Sequence, residues 1–158
     1  MRCKKFQLKE SEVLENLGSL GYGKDVMVKI RRRGAAIVET KKGILVVAWE
    51  KGDFMIPGGG AHFWETRRMA AKRELEEETG LKVKSSKFLF KYIGPEHKNK
   101  KGKLQRNNAK VFLMNVEGTP KALNEIKRIG YWKPGSKIKL MKGAQMALDI
   151  YLGKFRNK

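Results

Sequence analysis

Residues 59–81 place four glutamates within five positions, in a chain whose formal net charge is +20. Because an α-helix turns by about 100° per residue, Glu74, Glu77 and Glu78 share one helical face. Glu76 points elsewhere. Like charges at this spacing weaken an isolated helix by a few tenths of a kcal/mol per pair. The cluster is therefore expected to hold a cation, and Mg²⁺ or Mn²⁺ suits an all-oxygen site.

The sequence on either side predicts where this helix begins and ends. Thr66 is a good N-cap for a helix that begins just after it. Gly80 follows the last predicted turn, where a glycine commonly ends a helix. Leu75 points away from the glutamates and is expected in the core. The pattern therefore predicts a bounded helix of ordinary length for a globular domain.

The same segment resembles the Nudix box, GX5EX7REUXEEXGU, where U is a bulky aliphatic residue. It matches every fixed position without a gap: Gly59, Glu65, Arg73, Glu74, Leu75, Glu77, Glu78, Gly80 and Leu81. Nine specified positions at fixed spacing are far more specific than a lone glycine-rich loop. The resemblance to this MutT-like family implies an α/β fold, the Nudix-type α/β/α sandwich with a mixed β-sheet. It also implies divalent-cation-dependent hydrolysis of a nucleoside diphosphate linked to another group.

The resemblance further implies a role for each residue of the box. Three glutamates are the implied ligands of Mg²⁺ or Mn²⁺: Glu74, Glu77 and Glu78. Arg73 is implied to orient these carboxylates, while Glu65 and Gly80 support the geometry of the loop and helix. The alternative is a solvated helix face whose glutamates pair with Arg73 or Lys72.

The loop before the helix carries candidates for substrate binding. Three glycines allow the backbone to approach a ligand closely: Gly58, Gly59 and Gly60. The family often has glycine before its first glutamate, whereas this chain has Trp64, preceded by His62 and Phe63. A flat ring could stack on a nucleobase. Ordinary apolar packing of Phe63 and Trp64 over the start of the helix is the favoured interpretation.

Two further carboxylates are candidates for the general base. Glu125 stands isolated among cations, and its interval before Trp132 is similar to that of a catalytic loop carboxylate in some family members. It is therefore a candidate catalytic residue that binds a second metal ion or accepts a proton. Glu96 competes with it for that role.

The whole chain, residues 1–158, is predicted to form one Nudix hydrolase domain. Residues 1–30 lie outside the resemblance and are interpreted as a family-atypical N-terminal extension. Helices are predicted at 11–17 and 143–152, the second with an apolar stripe of Met146, Ala147, Ile150 and Tyr151. Strands are predicted at 34–39, 44–49, 55–56, 87–93 and 110–116. Residues 97–109 are predicted to be a long basic loop, either a phosphate-recruiting flap or a disordered, solvated hairpin tip.

Composition limits where the chain acts and what it binds. No apolar stretch approaches the roughly 20 residues that span a bilayer, and no apolar core of a signal peptide is found, so a cytoplasmic protein without membrane contact is expected. A small-molecule nucleotide such as ADP-ribose is the expected substrate. The strong positive charge keeps RNA as an alternative partner, with RNA ends or diphosphoinositol polyphosphates as substrates, or a non-catalytic RNA-binding module. The sequence also allows a homodimer.

Overall fold

The computed structural model describes residues 27–156. The helix predicted at 11–17 and most of the predicted N-terminal extension lie outside the described residues. The strands are β1 (Lys29–Ile37), β2 (Glu39–Thr40), β3 (Gly43–Ala48), β4 (Gly58–Gly60), β5 (Lys82–Ile93), β6 (His97–Lys98), β7 (Leu104–Glu117) and β8 (Arg128–Trp132). The helices are α1 (Arg67–Thr79) and α2 (Lys142–Tyr151), and a π-helical turn follows over Leu152–Arg156.

The strands form two sheets of different kinds. The larger sheet has five strands in the order β4-β1-β7-β5, with β6 also paired to β7. Strands β1 and β7 run parallel, whereas the other neighbours in this sheet are antiparallel. The smaller sheet is antiparallel, in the order β2-β3-β8. The prediction of a mixed sheet is therefore confirmed.

The apolar core lies on both faces of the larger sheet. On one face, residues of α1 pack with β1, β3 and β7 in a cluster of Ala36, Val38, Leu45, Ala71, Leu75, Leu81, Phe112 and Met114. On the other, α2 and the smaller sheet contribute to a cluster of Ala35, Ile37, Ile44, Val46, Ile56, Phe90, Val111, Trp132, Ala147, Leu148 and Tyr151. This arrangement is the predicted α/β/α sandwich, with Leu75 fully buried.

Helix α1 has the predicted ends. The Thr66 hydroxyl accepts a hydrogen bond from the Met69 backbone N–H at 3.1 Å, which satisfies one of the unpaired amides of the first turn. Gly80 closes the helix in the left-handed conformation, with φ of 69°, and donates its N–H to the Glu76 carbonyl. The caps set the first and last residues of α1. They therefore determine which side chains of the helix face Gly58–Gly60, which form β4 and are called the glycine loop below.

Close contact between α1 and β1 depends on Gly34. A Cβ atom at Gly34 would overlap the Arg67 carbonyl oxygen and lie 2.6 Å from the Ala71 backbone nitrogen. Only a residue without a side chain therefore lets the helix backbone pack directly on the strand. This contact sets the position of α1, and hence of its glutamates, relative to the sheet.

The basic segment 97–109 is the main difference from the predicted fold. It was expected to be a loop, either a flap or a disordered hairpin tip. It is instead an ordered hairpin of β6 and the first half of β7, and Asn99 Oδ1 accepts hydrogen bonds from two amides of its turn. The polar half of β7 is a strand because residues 105–109 pair with residues 29–33 of β1. Backbone pairing needs no apolar side chains, so the hydrophobic pattern did not reveal it.

The buried stripe of α2 also differs from the prediction. Ala147 and Tyr151 are buried as expected, but Met146 is 40% exposed, and Ile150 is only partly buried. Leu148 is fully buried in its place. The buried positions, 144, 147, 148 and 151, have the helical spacing, so the predicted stripe was rotated slightly around the helix axis. Within residues 27–156, no helix is both long and apolar enough to cross a membrane.

Gly34→Ala is expected to lower the free energy of unfolding by about 1–3 kcal/mol, because α1 must move away from β1 to admit the methyl group. Gly153→Ala is the matched control, since a Cβ at Gly153 would have no neighbour within 4 Å. Denaturant unfolding of both variants measures the difference. Equal stability of the two variants would contradict the proposed contact.

Candidate active site

Arg73 connects the glycine loop to the acidic face of α1. Its guanidinium binds Glu65 through two nearly parallel bonds, Nε to Oε1 at 2.9 Å and Nη2 to Oε2 at 3.0 Å. Nη1 donates to Glu74 Oε1 at 2.8 Å and to Glu77 Oε2 at 3.3 Å, and Nη2 also donates to the Gly60 carbonyl at 3.2 Å. One side chain therefore holds three carboxylates and the end of β4 in place.

Glu65 is buried beneath this connection. Its Oε2 accepts a second hydrogen bond from the His62 backbone N–H at 3.0 Å, which closes the turn over residues 62–65. The hydrogen bonds from Arg73 lower the pKa of Glu65 from 4.5 to about 2, although burial acts in the opposite direction. Glu65 is thus ionised at neutral pH and committed to Arg73.

Glu78 is the most buried carboxylate of α1, with 4% of its surface exposed. Its Oε2 accepts a hydrogen bond from the Gly58 backbone N–H at 3.1 Å. Burial raises the pKa of Glu78 to about 8, the charges of Glu74 and Glu125 act in the same direction, and Arg33 opposes them. This environment rules out a purely solvated helix face for Glu78, although the alternative pairing of Glu77 with Arg73 is present.

Glu74 lies against the backbone of β4. A Cβ atom at Gly59 would overlap the Glu74 carboxylate, so this glycine provides the space that the carboxylate fills. Glu77 is further out, with its side chain 53% exposed. Two of the three predicted ligands therefore lie against the glycine loop, and Glu77 is connected to that loop through Arg73.

The donor set fits a hard divalent cation. Within residues 27–156, no three acidic, histidine or cysteine side chains form a ready-made metal cage. Mg²⁺ does not require one, because it keeps several waters and usually takes one or two carboxylates together with substrate phosphates. The hydrogen bonds that join Glu74, Glu77 and Glu78 to other described residues use one oxygen of each. The second oxygen of each carboxylate remains for a cation.

The loop that carries Glu125 is fastened to the end of α1. Leu123 donates its N–H to the Glu78 carbonyl at 3.1 Å, and the Asn124 side-chain amide donates to the Glu77 carbonyl at 2.9 Å. Asn124 has a φ of 52°, a conformation that asparagine tolerates better than most residues. Glu125 is exposed, and its charge helps raise the pKa of Glu78. Sequence reasoning missed Asn124, although its tolerance of the left-handed region was an available signal.

Glu96, the competing candidate base, precedes β6 and is exposed. Glu125 is the candidate that the described contacts connect to α1, because its neighbours bind the helix carbonyls directly.

The aromatic residues before α1 do not pack as the favoured interpretation expected. Phe63 is 93% exposed and Trp64 is 76% exposed, so neither covers the helix start. The Trp64 ring instead stacks on His62, with centroids 5.1 Å apart and planes 8° from parallel. The turn is held by the hydrogen bonds of the Glu65 carboxylate to the His62 amide and to Arg73. Its aromatic rings are not needed for packing and lie in solvent.

Arginines of β1 lie on the opposite side of the glycine loop from the carboxylates. Arg33 Nη2 donates to the Gly58 carbonyl at 2.7 Å, and the Arg31 guanidinium lies against Gly60. Burial lowers the pKa of Arg33, while Tyr92 and Glu78 counteract this effect. Sequence reasoning missed both residues, because the run RRR at 31–33 was counted only as general positive charge.

Two surface recesses lie elsewhere, with volumes of about 210 and 330 Å³. The first lies beside the π-helical turn and the second beside Phe88, and neither is lined by a glutamate of α1. We therefore place the site by the chemistry of its side chains.

The bond between Arg73 and Glu65 makes stability depend on pH. Because folding lowers the pKa of Glu65, the stabilisation is present above about pH 4.5 and is lost as the pH falls towards 2. Arg73 is 27% exposed, so solvent screening reduces the contribution to about 1–2 kcal/mol. Glu65→Gln should lower the unfolding free energy by this amount at pH 6.5 and by less at pH 3. Denaturant unfolding at both pH values measures it.

Glu117→Gln is the control for this measurement. Glu117 pairs with Lys84 at 2.8 Å, but both side chains are 55% exposed, so its removal should cost under about 0.5 kcal/mol at either pH. A Glu65→Gln variant that behaves like this control would contradict the assignment.

Comparison with known proteins agrees with the geometry. The NUDIX domain family model matches residues 29–145. A Nudix hydrolase family member from Chromobacterium violaceum is 35% identical, with a TM-score of 0.70 over 82% of this chain and 81% of that one. The MutT Nudix hydrolase of Burkholderia pseudomallei is 21% identical, with a TM-score of 0.60 over 77% and 97% of the two chains.

An ADP-ribose pyrophosphatase from Streptococcus suis also shares the fold, at 19% identity and a TM-score of 0.57 over 78% of this chain and 92% of that one. The family model covers most of the chain, and the Chromobacterium structure is similar in sequence as well as in fold. The chain therefore belongs to the Nudix hydrolase family.

Proposed function

We propose that this chain is a Mg²⁺- or Mn²⁺-dependent pyrophosphohydrolase of a nucleoside diphosphate linked to another moiety. The observation that carries the proposal is the arrangement around β4. Glu74 and Glu78 contact its backbone on one side, and Arg33 binds it on the other. A site for a cation thus lies beside a site for an anion, which suits a metal-bound diphosphate.

Each residue of the site has a proposed task. Glu74, Glu77 and Glu78 hold the cation, which when bound neutralises phosphate oxygens and acidifies water. Arg73 keeps Glu74 and Glu77 on the side of the glycine loop. Glu125 is the proposed general base: it accepts a proton from water as the water oxygen bonds to phosphorus and the bridging P–O bond breaks.

The substrate class follows from the family and from the exposed ring. One structural neighbour is an ADP-ribose pyrophosphatase and another is a UDP-X diphosphatase. We propose a nucleotide derivative of this kind, with ADP-ribose as the first candidate and with the nucleobase stacked on Trp64. The glycine backbone of β4 lies closest to the phosphates.

Hydrolysis of a substrate panel tests the proposal. The panel contains ADP-ribose, UDP-glucose, dinucleoside polyphosphates, nucleoside triphosphates, a diphosphoinositol polyphosphate and capped RNA, each with Mg²⁺, with Mn²⁺ and with EDTA. Cation-dependent release of a nucleoside monophosphate from a nucleotide derivative is the expected result. Salt-sensitive RNA binding without cleavage of any compound would favour the non-catalytic RNA-binding alternative.

Glu77→Gln and Glu78→Gln should each lower kcat by about 10²-fold or more, because an amide cannot ionise to a carboxylate ligand when the cation binds. Glutamine keeps an oxygen that can accept the Gly58 hydrogen bond, so the fold should remain. Glu76→Gln is the matched control, since Glu76 is not a proposed ligand and its Oε1 accepts a hydrogen bond from the Val83 N–H of β5. A normal rate in either test variant, or an equal loss in the control, would refute the ligand assignment.

Trp64→Ala should raise KM for the best nucleotide substrate by about 5- to 150-fold, since stacking on one base is worth about 1–3 kcal/mol. The value of kcat should change little. Phe63→Ala is the control, because Phe63 is also largely exposed but is not stacked on His62. Identical KM values for the two variants would remove Trp64 from the substrate site.

A further inference from the structure

The face of the larger sheet that packs against α2 ends in polar residues. Ala35 and Ile37 of β1 pair in register with Val111 and Leu113 of β7, and all four lie in or against the α2-side core. Side chains alternate along a strand, and paired residues share a face. Arg33 and Arg31 therefore continue the same face, and Asn107, the register partner of Arg31, lies there with them.

Arg33 has more hydrogen-bond donors than its described contacts use. A guanidinium carries five N–H groups, and the described contact of Arg33 is the single bond from Nη2 to the Gly58 carbonyl. Within residues 27–156, no carboxylate lies within ion-pair distance of it. The remaining N–H groups of this partly buried cation are suited to an anion beside β4.

Asn107 presents a buried acceptor. Its side-chain Oδ1 is shielded from solvent and accepts no hydrogen bond from any residue that the structure describes. Reversing the amide would leave a buried donor in the same place. The adjacent Asn108 differs, because its Oδ1 accepts a bond at 2.7 Å from Arg67 on the α1 side of the sheet. Buried polar atoms are nearly always paired, so the unpaired oxygen of Asn107 points to a ligand.

The two residues are spaced for one small molecule. Arg33 pairs in register with Ala109, so Asn107 is two positions along the neighbouring strand. Strand geometry puts their Cα atoms about 8 Å apart. Tyr92, which pairs with Ala109 from β5, closes the far side and donates its hydroxyl to the Gly143 carbonyl of α2 at 3.0 Å.

We propose that Arg33 and Asn107 form the subsite for the nucleoside phosphate half of the substrate. Arg33 binds a phosphate oxygen, and Asn107 Oδ1 accepts a hydrogen bond from the nucleoside. The donor is either an exocyclic amino group of the base or a ribose hydroxyl. This inference rests on the proposed function and specifies which groups of the substrate are recognised.

Binding of nucleoside monophosphates tests the subsite without requiring turnover. Isothermal titration calorimetry with Mg²⁺ first identifies the tightest ligand among AMP, CMP, GMP and UMP. That ligand is then compared with its counterparts lacking the exocyclic amino group, the 2′-hydroxyl or the 3′-hydroxyl, and with its nucleoside lacking phosphate. Loss of preference for one counterpart in an Asn107 variant identifies the donor.

Asn107→Leu should weaken binding of the parent nucleotide by about 5- to 30-fold, and the variant should no longer prefer that nucleotide over one of its counterparts. Asn108→Leu, on the opposite face, should keep that preference. Arg33→Gln should weaken binding of the nucleotide by about 10- to 150-fold and leave binding of the nucleoside unchanged. Arg68→Gln is its control, since Arg68 binds Ser86 at the other edge of the sheet. If Arg33→Gln does not fold, Arg33→Lys gives a second test, because the lysine ammonium can still donate to the Gly58 carbonyl.

The subsite would be overturned if Asn107→Leu kept every preference of the unmodified protein for the parent nucleotide over its counterparts. It would also be overturned if folded Arg33 variants lost nucleoside and nucleotide binding equally. The hydrolysis panel on the unmodified protein separates this failure from failure of the proposed function. Hydrolysis with no effect of the variants on binding would refute the subsite alone. Selective binding with no hydrolysis would refute the proposed function and keep the subsite.

Discussion

The arrangement of the carboxylates depends on the ion pair between Arg73 and Glu65. The Glu65 carboxylate is fixed at neutral pH, because Arg73 keeps it ionised and binds both of its oxygens, and the His62 amide also donates to Oε2. Arg73 is in turn fixed by Glu65, so its remaining N–H groups point at Glu74 and Glu77. A charge pair of this geometry positions side chains more than it stabilises the fold.

At the edge of the larger sheet, β4 separates the glutamates of α1 from the arginines of β1. The glycines of β4 allow Glu74 to reach the strand from α1, and Gly34 allows α1 to approach closely enough for this. Arg33 reaches the same strand from β1. A metal-bound diphosphate carries both signs of charge, so a backbone with carboxylates on one side and a guanidinium on the other is complementary to it.

The sequence predicted the parts of the site that lie on one continuous helix. The ends of α1 and the burial of Leu75 followed from local spacing, because caps and helical periodicity are local properties. The family was indicated by the resemblance of residues 59–81 to the Nudix box. A hairpin tip was one alternative for residues 97–109, but its strands were not predicted, since residues 105–109 become a strand by pairing with a segment about 75 positions earlier. Distance in sequence also separates the contacts of Arg33, which binds Gly58 25 positions later, and of Asn124, which binds the Glu77 carbonyl 47 positions earlier. Asn107 is placed beside Arg31 only by strand pairing.

The central claim is that the glutamates of α1 hold one divalent cation beside the glycine loop. Electron paramagnetic resonance of Mn²⁺ measures this directly, by titration in the presence of α,β-methylene ADP. The account predicts bound Mn²⁺ that Mg²⁺ displaces, with affinity at least about tenfold weaker in Glu74→Gln than in the unmodified protein. Equal Mn²⁺ affinity in the two proteins would contradict it.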